Sequence, residues 1–118
     1  MVEGALAVVL VVEDEVLIRM TAMDYIERAG HTAIGASSAD EAIQILEQRT
    51  DIDIVFSDVT MPGSMDGLKL IAIVRKRWPP IKLILTSGKG LPVGTILPEH
   101  TVFLQKPYAF QKLSDAMT

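Results

Sequence analysis

The chain has 118 residues, a formal charge of −4 and no cysteine, and these properties exclude several classes of protein before any motif is considered. The length holds one domain and leaves no room for a second, while the lack of cysteine removes disulfides, thiolate metal sites and cysteine nucleophiles. The acidic balance argues against broad nucleic-acid binding, which usually needs a basic surplus. We therefore expect one cytoplasmic domain over residues 1–118 that binds proteins rather than nucleic acid or membrane.

The first predicted element is an apolar stretch over residues 5–12, which Glu13, Asp14 and Glu15 terminate. It is too short to span a bilayer, and no basic residue precedes it as in a signal peptide. An uninterrupted apolar run indicates a strand that is covered on both faces, as at the centre of a parallel sheet.

Predicted helices and strands alternate through the rest of the chain. Apolar residues recur at helical spacing from Ile18 to Ala29, and Gly30 marks the end of that helix. Ser38 and Glu41 form a capping-box pattern for a second helix. The remaining predicted strands are residues 31–36, 52–57, 81–86 and 101–105, and the remaining predicted helices are residues 67–78 and 110–117.

This alternation predicts an α/β fold, a doubly wound five-stranded parallel sheet with helices on both faces. In such sheets the functional crevice lies beyond the carboxyl ends of the strands. The polar residues at those ends are therefore the candidate site. They are Glu13 and Asp14, then Asp58, then Ser87, then Lys106.

The candidate residues have the chemistry of a phosphoryl-transfer site. Carboxylates from two strand ends repel each other by about 4 kcal/mol for a pair at 4 Å and an effective dielectric of 20, so a cation is expected among them. Oxygen ligands without histidine or cysteine favour Mg²⁺. A carboxylate is an adequate nucleophile for phosphoryl transfer, and a lysine and a hydroxyl stabilise the transferring group.

Four segments carry a resemblance to the receiver domain of bacterial two-component response regulators, and together they cover nearly the whole chain. They are VVEDE at 11–15, FSDVTMPGSMDG at 56–67, LTSG at 85–88 and LQKPY at 104–108. The resemblance implies the flavodoxin-like receiver fold. It also implies a Mg²⁺ site in which Glu13 and Asp14 are the acidic pair, Asp58 is both metal ligand and phosphoacceptor, and the backbone carbonyl of Thr60 completes the protein ligands.

The same resemblance implies roles for residues on the fourth and fifth strands. The hydroxyl of Ser87 would bind the phosphoryl group, although the neighbouring Thr86 is a second candidate. Lys106 would pair with the phosphoryl group, its orientation set by a cis bond to Pro107. Phe103 matches the family's switch aromatic and is equally well explained as a core residue.

The function that the resemblance implies is a phosphorelay switch. A histidine kinase or histidine phosphotransfer protein would supply the phosphoryl group, and an unknown partner protein would receive the signal. The domain would have modest self-catalysed phosphotransfer and autodephosphorylation without being a metabolic enzyme. An alternative is a pseudo-receiver that binds proteins without phosphate turnover. An aspartate-nucleophile phosphatase is disfavoured, because it needs an acid where Thr60 stands.

The sequence departs from the family pattern in two places. Residues 88–100 contain three glycines and two prolines with little helical periodicity, so the fourth helix of the family is expected to be short, irregular or mobile here. The loop MPGSMDG at 61–67 has one residue more than many receivers, which lengthens the rim of the crevice.

Overall fold

A computed structural model describes residues 6–61, 63 and 65–118. The strands are β1 (Val8–Val12), β2 (Thr32–Ala36), β3 (Ile54–Asp58), β4 (Lys82–Ser87) and β5 (Thr101–Gln105). The helices are α1 (Val16–Arg28), α2 (Ala39–Gln48), α3 (Gly67–Arg77) and α4 (Phe110–Ala116). None of the helices in these ranges has the length and apolar character needed to cross a membrane. Ala5 of the first predicted strand, and Pro62 and Ser64 of the lengthened loop, lie outside the described residues.

The five strands form one parallel sheet in the order β2-β1-β3-β4-β5, which confirms the predicted fold. Side chains alternate between the two faces of each strand, and each face has its own core. Helices α2 and α3 cover one face, and α1 and α4 cover the other. Both faces of β1 and β3 are covered, and for that reason β1 is apolar throughout and β3 is apolar from Ile54 to Phe56.

The predicted strand boundaries were wrong by one or two residues at β3 and β4. Backbone hydrogen bonds extend each ladder beyond its apolar run, since the Val59 amide donates to the Thr86 carbonyl at 2.9 Å and the Lys106 amide donates to the Ser87 carbonyl at 3.0 Å. Asp58 and Ser87 are consequently the last residues of their strands. The sheet itself therefore holds the backbone of these two candidate site residues.

The cap of α2 differs slightly from the predicted capping box. The Ser38 hydroxyl accepts a hydrogen bond from the Glu41 amide at 3.1 Å, as predicted. The Glu41 carboxylate binds Ser37 instead of Ser38, and it accepts hydrogen bonds from the Ser37 amide at 2.6 Å and from the Ser37 hydroxyl at 2.9 Å. The hydrogen bond from the Ser37 amide lowers the pKa of Glu41 most, and the one from the hydroxyl lowers it further.

Residues 88–100 contain no helix, which confirms the expectation that no regular fourth helix forms here. The chain turns at Gly90 and Gly94, both of which have positive φ angles. Leu91 and Leu97 pack against the core under α2 and α3. The side chains of Val93 and Ile96 are exposed.

Gly67 allows the start of α3 to touch the end of β3. Its amide donates to the Val59 carbonyl at 2.8 Å, and Asp66 caps the helix by accepting from the Lys69 amide at 2.9 Å. A Cβ atom at position 67 would lie 1.9 Å from the Asp58 carbonyl oxygen and 2.8 Å from its carbonyl carbon. Only glycine fits this contact without moving the backbone of Asp58.

We predict that Gly67→Ala lowers the free energy of unfolding by about 1–3 kcal/mol or more, because the added methyl group overlaps backbone that cannot move independently. Chemical denaturation measures this change. Gly88→Ala is the matched control, since a Cβ there meets nothing within 4 Å, and its stability is expected to stay within about 0.5 kcal/mol of the parent. Equal stability of the two variants would contradict the packing argument.

Candidate functional site

Four polar side chains share one face at the carboxyl edge of the sheet. They are Glu13 beyond β1, Asp58 at the end of β3, Thr86 opposite it on β4, and Lys106 beyond β5. The residue two places before each of them lies in the core under α1 and α4, so strand alternation directs all four toward that side. They line one small cavity of about 10 Å³ together with apolar residues of β1, β3 and α1.

The Lys106 ammonium joins the two acids of this row. Its Nζ lies 3.2 Å from Glu13 Oε1 and 3.0 Å from Asp58 Oδ2. The exposed fractions of the side chains are 23% for Lys106, 7% for Glu13 and 12% for Asp58, so water screens these charges weakly. One cation balances two carboxylates, and the cluster keeps a negative charge.

Backbone groups hold the carboxylates from the other side. Asp58 Oδ1 accepts from the Thr60 amide at 3.3 Å, and Glu13 Oε2 accepts from the Glu15 amide at 3.1 Å. Arg19 of α1 donates from Nη1 to the Glu13 backbone carbonyl at 2.7 Å. Each acid is therefore oriented by its own loop as well as by the lysine.

The environment shifts the pKa values of two members of the cluster. Burial raises the pKa of Glu13, and hydrogen bonds from the Glu15 amide and Lys106 offset this only in part. Burial also acts to lower the pKa of Lys106, but hydrogen bonds and charge from Asp58 and Glu13 outweigh it and raise that pKa. The lysine is thus held in its ammonium form at neutral pH.

Tyr108 lines the cavity next to α1. Its ring packs edge-on against Phe56 at 5.9 Å between centroids, and burial raises its pKa to about 12. It was not predicted as a site residue. The sequence feature that could have indicated Tyr108 as a site residue is its position directly after Lys106 and Pro107, which are joined by a cis peptide bond.

The oxygen donors of the site suit a hard divalent cation. Glu13 and Asp58 lie within hydrogen-bond distance of the same ammonium nitrogen, so their carboxylates are close together, and carboxylate oxygens are the donors that Mg²⁺ prefers. Across residues 6–61, 63 and 65–118, no group of three or more Asp, Glu, His or Cys side chains is gathered as in a metal site. Asp14 is half-buried beside Glu13 and does not line the cavity.

Ser87 and Phe103 belong to the opposite face of the sheet. Phe103 packs against the core under α2 and α3, and alternation from Leu85 directs Ser87 to the same side. The buried Ser87 hydroxyl accepts from the Lys89 amide at 3.1 Å. The hydroxyl in the row of acids is that of Thr86, the second of the two candidates in the sequence.

An acid–lysine cluster at the carboxyl edge of a doubly wound parallel sheet defines a class of α/β proteins that bind charged groups at this edge. The response regulator receiver domain family matches residues 9–118, and the chain therefore belongs to that family. Receiver domains act as signalling modules of two-component systems and are not conventional enzymes.

Two relatives support this assignment, and a solved structure of lower identity supports the fold. The chain is 38% identical over 116 residues to the sensor kinase CckA of Brucella abortus, covering 92% of this chain and 12% of the kinase. It is 31% identical to the chemotaxis protein CheY of Thermotoga maritima, with 92% of each chain covered. The solved structure of the response regulator TrrA of Thermotoga maritima, in complex with Mg²⁺-BeF, has a TM-score of 0.85 at 24% identity, covering 95% of this chain and 96% of TrrA.

We predict that Lys106→Met destabilises the protein in the presence of a chelator by about 1–3 kcal/mol, because two weakly screened carboxylates lose their cation. Denaturant titration at several pH values is the measurement. The raised pKa of Lys106 sets the pH range: its contribution is complete below the ordinary value of 10.5 and is lost as the pH rises through the higher folded pKa.

Lys112→Met is the matched control, because Lys112 is exposed on α4. Its stability is expected to stay close to that of the parent over the same pH range. A Lys106→Met protein as stable as this control at pH 7 would show that the ion pairs contribute nothing.

Proposed function

We propose that the domain accepts a phosphoryl group on Asp58 with the help of Mg²⁺ and passes the signal to a partner protein. The observation that carries the proposal is the 3.0 Å contact between Lys106 Nζ and Asp58 Oδ2 in a weakly exposed site at the end of β3. A fixed ammonium beside a carboxylate nucleophile stabilises the charge of a transferring phosphoryl group.

The proposed reaction forms an acyl phosphate. An Asp58 carboxylate oxygen attacks the phosphorus of a phosphohistidine, a new P–O bond forms, and the P–N bond breaks with its electron pair left on the imidazole. Hydrolysis later returns phosphate to solution. Lys106 exchanges its contact with the Asp58 carboxylate for one with a phosphoryl oxygen. Its charge therefore stabilises the site both before and after phosphorylation.

The residues proposed to hold Mg²⁺ are Glu13, Asp14, Asp58 and the backbone carbonyl of Thr60. When bound, the ion supplies positive charge that offsets the crowded carboxylates and the phosphoryl oxygens. The similar structure of TrrA is a complex with Mg²⁺-BeF, which supports Mg²⁺ as the cation of this site. Release of Lys106 from Glu13 would accompany metal binding, because both cations compete for the same carboxylate.

The phosphodonor is proposed to dock on the start of α1. Leu17 is 78% exposed and Met20 is 59% exposed, which is unusual for apolar residues on an amphipathic helix. Leu17 borders a groove of about 270 Å³ between α1 and Tyr108, and Tyr108 also lines the cavity of the acids. A histidine kinase or histidine phosphotransfer protein seated there would bring its phosphohistidine to the edge of the site.

The output side of the switch is proposed to use Ser87 and Phe103. The register of β4 and β5 puts both on the face under α2 and α3, so a movement of Ser87 toward the phosphoryl group frees space beside Phe103. The adjoining segment 88–100 presents Val93 and Ile96 to solvent. We propose this segment as the contact for the output partner.

A small phosphodonor tests the acceptor residue. Incubation with acetyl phosphate and Mg²⁺ is expected to add one phosphoryl group by intact mass, and both Asp58→Asn and excess chelator are expected to abolish the gain. Asp115→Asn is the matched control, because Asp115 is exposed on α4, and it is expected to be phosphorylated like the parent. No gain in the parent protein would favour the pseudo-receiver alternative.

A second experiment tests the docking face. Leu17→Asp is expected to slow phosphotransfer from a phosphorylated histidine domain about 10-fold or more, because a charge replaces an apolar contact. Phosphorylation by acetyl phosphate is expected to stay unchanged. Ile96→Asp, at a residue that is 93% exposed, is the matched control and is expected to leave both rates as in the parent. If Leu17→Asp lowered the phosphorylation rate equally with both donors, the defect would lie in the phosphoacceptor site and not in docking.

A further inference from the structure

The Thr86 hydroxyl is a buried polar group that the proposed reaction does not use. Thr86 is 4% exposed, and its Oγ1 has no hydrogen-bond partner within the described part of the chain. A buried hydroxyl without a partner is costly. Such a group in a well-packed sheet therefore requires an explanation.

The position of Thr86 connects this hydroxyl to the phosphoacceptor. Thr86 lies directly opposite Asp58 in the register of β3 and β4, and strand alternation puts both on the face under α1 and α4. Both line the same small cavity, together with Glu13 and Lys106. The nearby Ser57 hydroxyl is already used, since it donates to the Asp58 backbone carbonyl at 2.9 Å.

The cavity meets both conditions for an internal water molecule. Its volume of about 10 Å³ is close to that needed for one water. A buried water needs two to four polar partners, and the cavity offers the Thr86 hydroxyl, two carboxylates and one ammonium. Ile18, Ala22 and Tyr108 line it with mostly apolar surface.

We propose that this cavity holds one water molecule, bound between Thr86 Oγ1 and the Asp58 carboxylate. The water satisfies the buried hydroxyl and donates a hydrogen bond to a carboxylate that shares the Lys106 ammonium with Glu13. Thr86 is therefore a positioning residue, since it acts on Asp58 through the water.

The consequence for the phosphorylated state rests on the proposed function. In hydrolysis a solvent water attacks phosphorus, its oxygen forms the new bond, and its proton passes to the phosphate or to solvent. The bond from phosphorus to the Asp58 oxygen breaks, and the electron pair stays on the carboxylate. The bound water is not the nucleophile: its hydrogen bond stabilises this leaving carboxylate and so shortens the lifetime of the acyl phosphate.

Thr86→Val tests the proposal, because valine has the shape of threonine without the hydroxyl. A high-resolution crystal structure of the metal-free protein is expected to show an ordered water beside Thr86, and that of Thr86→Val is expected to lack it. The half-life of the acyl phosphate is expected to lengthen about 3- to 10-fold in Thr86→Val, the effect of one hydrogen bond.

Thr86→Ser keeps the hydroxyl and is expected to restore both the water and the parental half-life. Thr101→Val is the matched control, because Thr101 Oγ1 is also buried without a partner but lies at the start of β5, away from the site. The acyl phosphate of Thr101→Val is expected to have the same half-life as that of the parent.

A parental half-life in Thr86→Val, or a cavity without ordered water in the parent crystal, would overturn the proposal. If the parent accepts no phosphoryl group, the proposed function fails separately, and the crystal structures still decide whether Thr86 binds water.

Discussion

The ion pairs of Lys106 with Glu13 and Asp58 are the interaction on which the candidate site depends. Two carboxylates brought together at the edge of a buried sheet repel each other, and burial adds to the cost of ionising them. The ammonium, at 3.2 and 3.0 Å from the two acids, offsets this cost. The three side chains come from just beyond β1, from the end of β3 and from just beyond β5, so β1, β3, β4 and β5 must be assembled before they meet.

This arrangement couples the charge state of the site to the rest of the domain. Lys106 follows β5, whose Phe103 packs under α2 and α3, while Glu13 is held through its backbone by Arg19 of α1. A new cation or anion at the site must compete with these contacts. In the proposed function, this competition is the step by which phosphorylation of Asp58 changes the surface that the domain presents to a partner protein.

The close contact between Gly67 and Asp58 shows how the fold restricts the backbone of the proposed phosphoacceptor. The helix that follows the site loop begins against the Asp58 carbonyl, and hydrogen bonds of the sheet hold the same residue on its other side. The Asp58 backbone is therefore fixed between β4 and α3. Its side chain, which contacts Lys106 and the Thr60 amide, lines the cavity of the site.

The alternation of apolar runs and amphipathic segments determined the fold, because strand and helix periods differ and parallel strands require covering helices. It also put the acids, Ser87 and Lys106 at the carboxyl edge, since parallel strands end on the same side. The exact ends of β3 and β4 depended on ladder hydrogen bonds, which local pattern does not contain. Only the tertiary structure decided that Lys106 bridges Glu13 and Asp58 and that Tyr108 lines the cavity. It also decided that Thr86 lies on the face of the acids while Ser87 lies on the other face. These facts depend on the register between strands distant in sequence, and a one-residue shift in register moves a side chain to the opposite face.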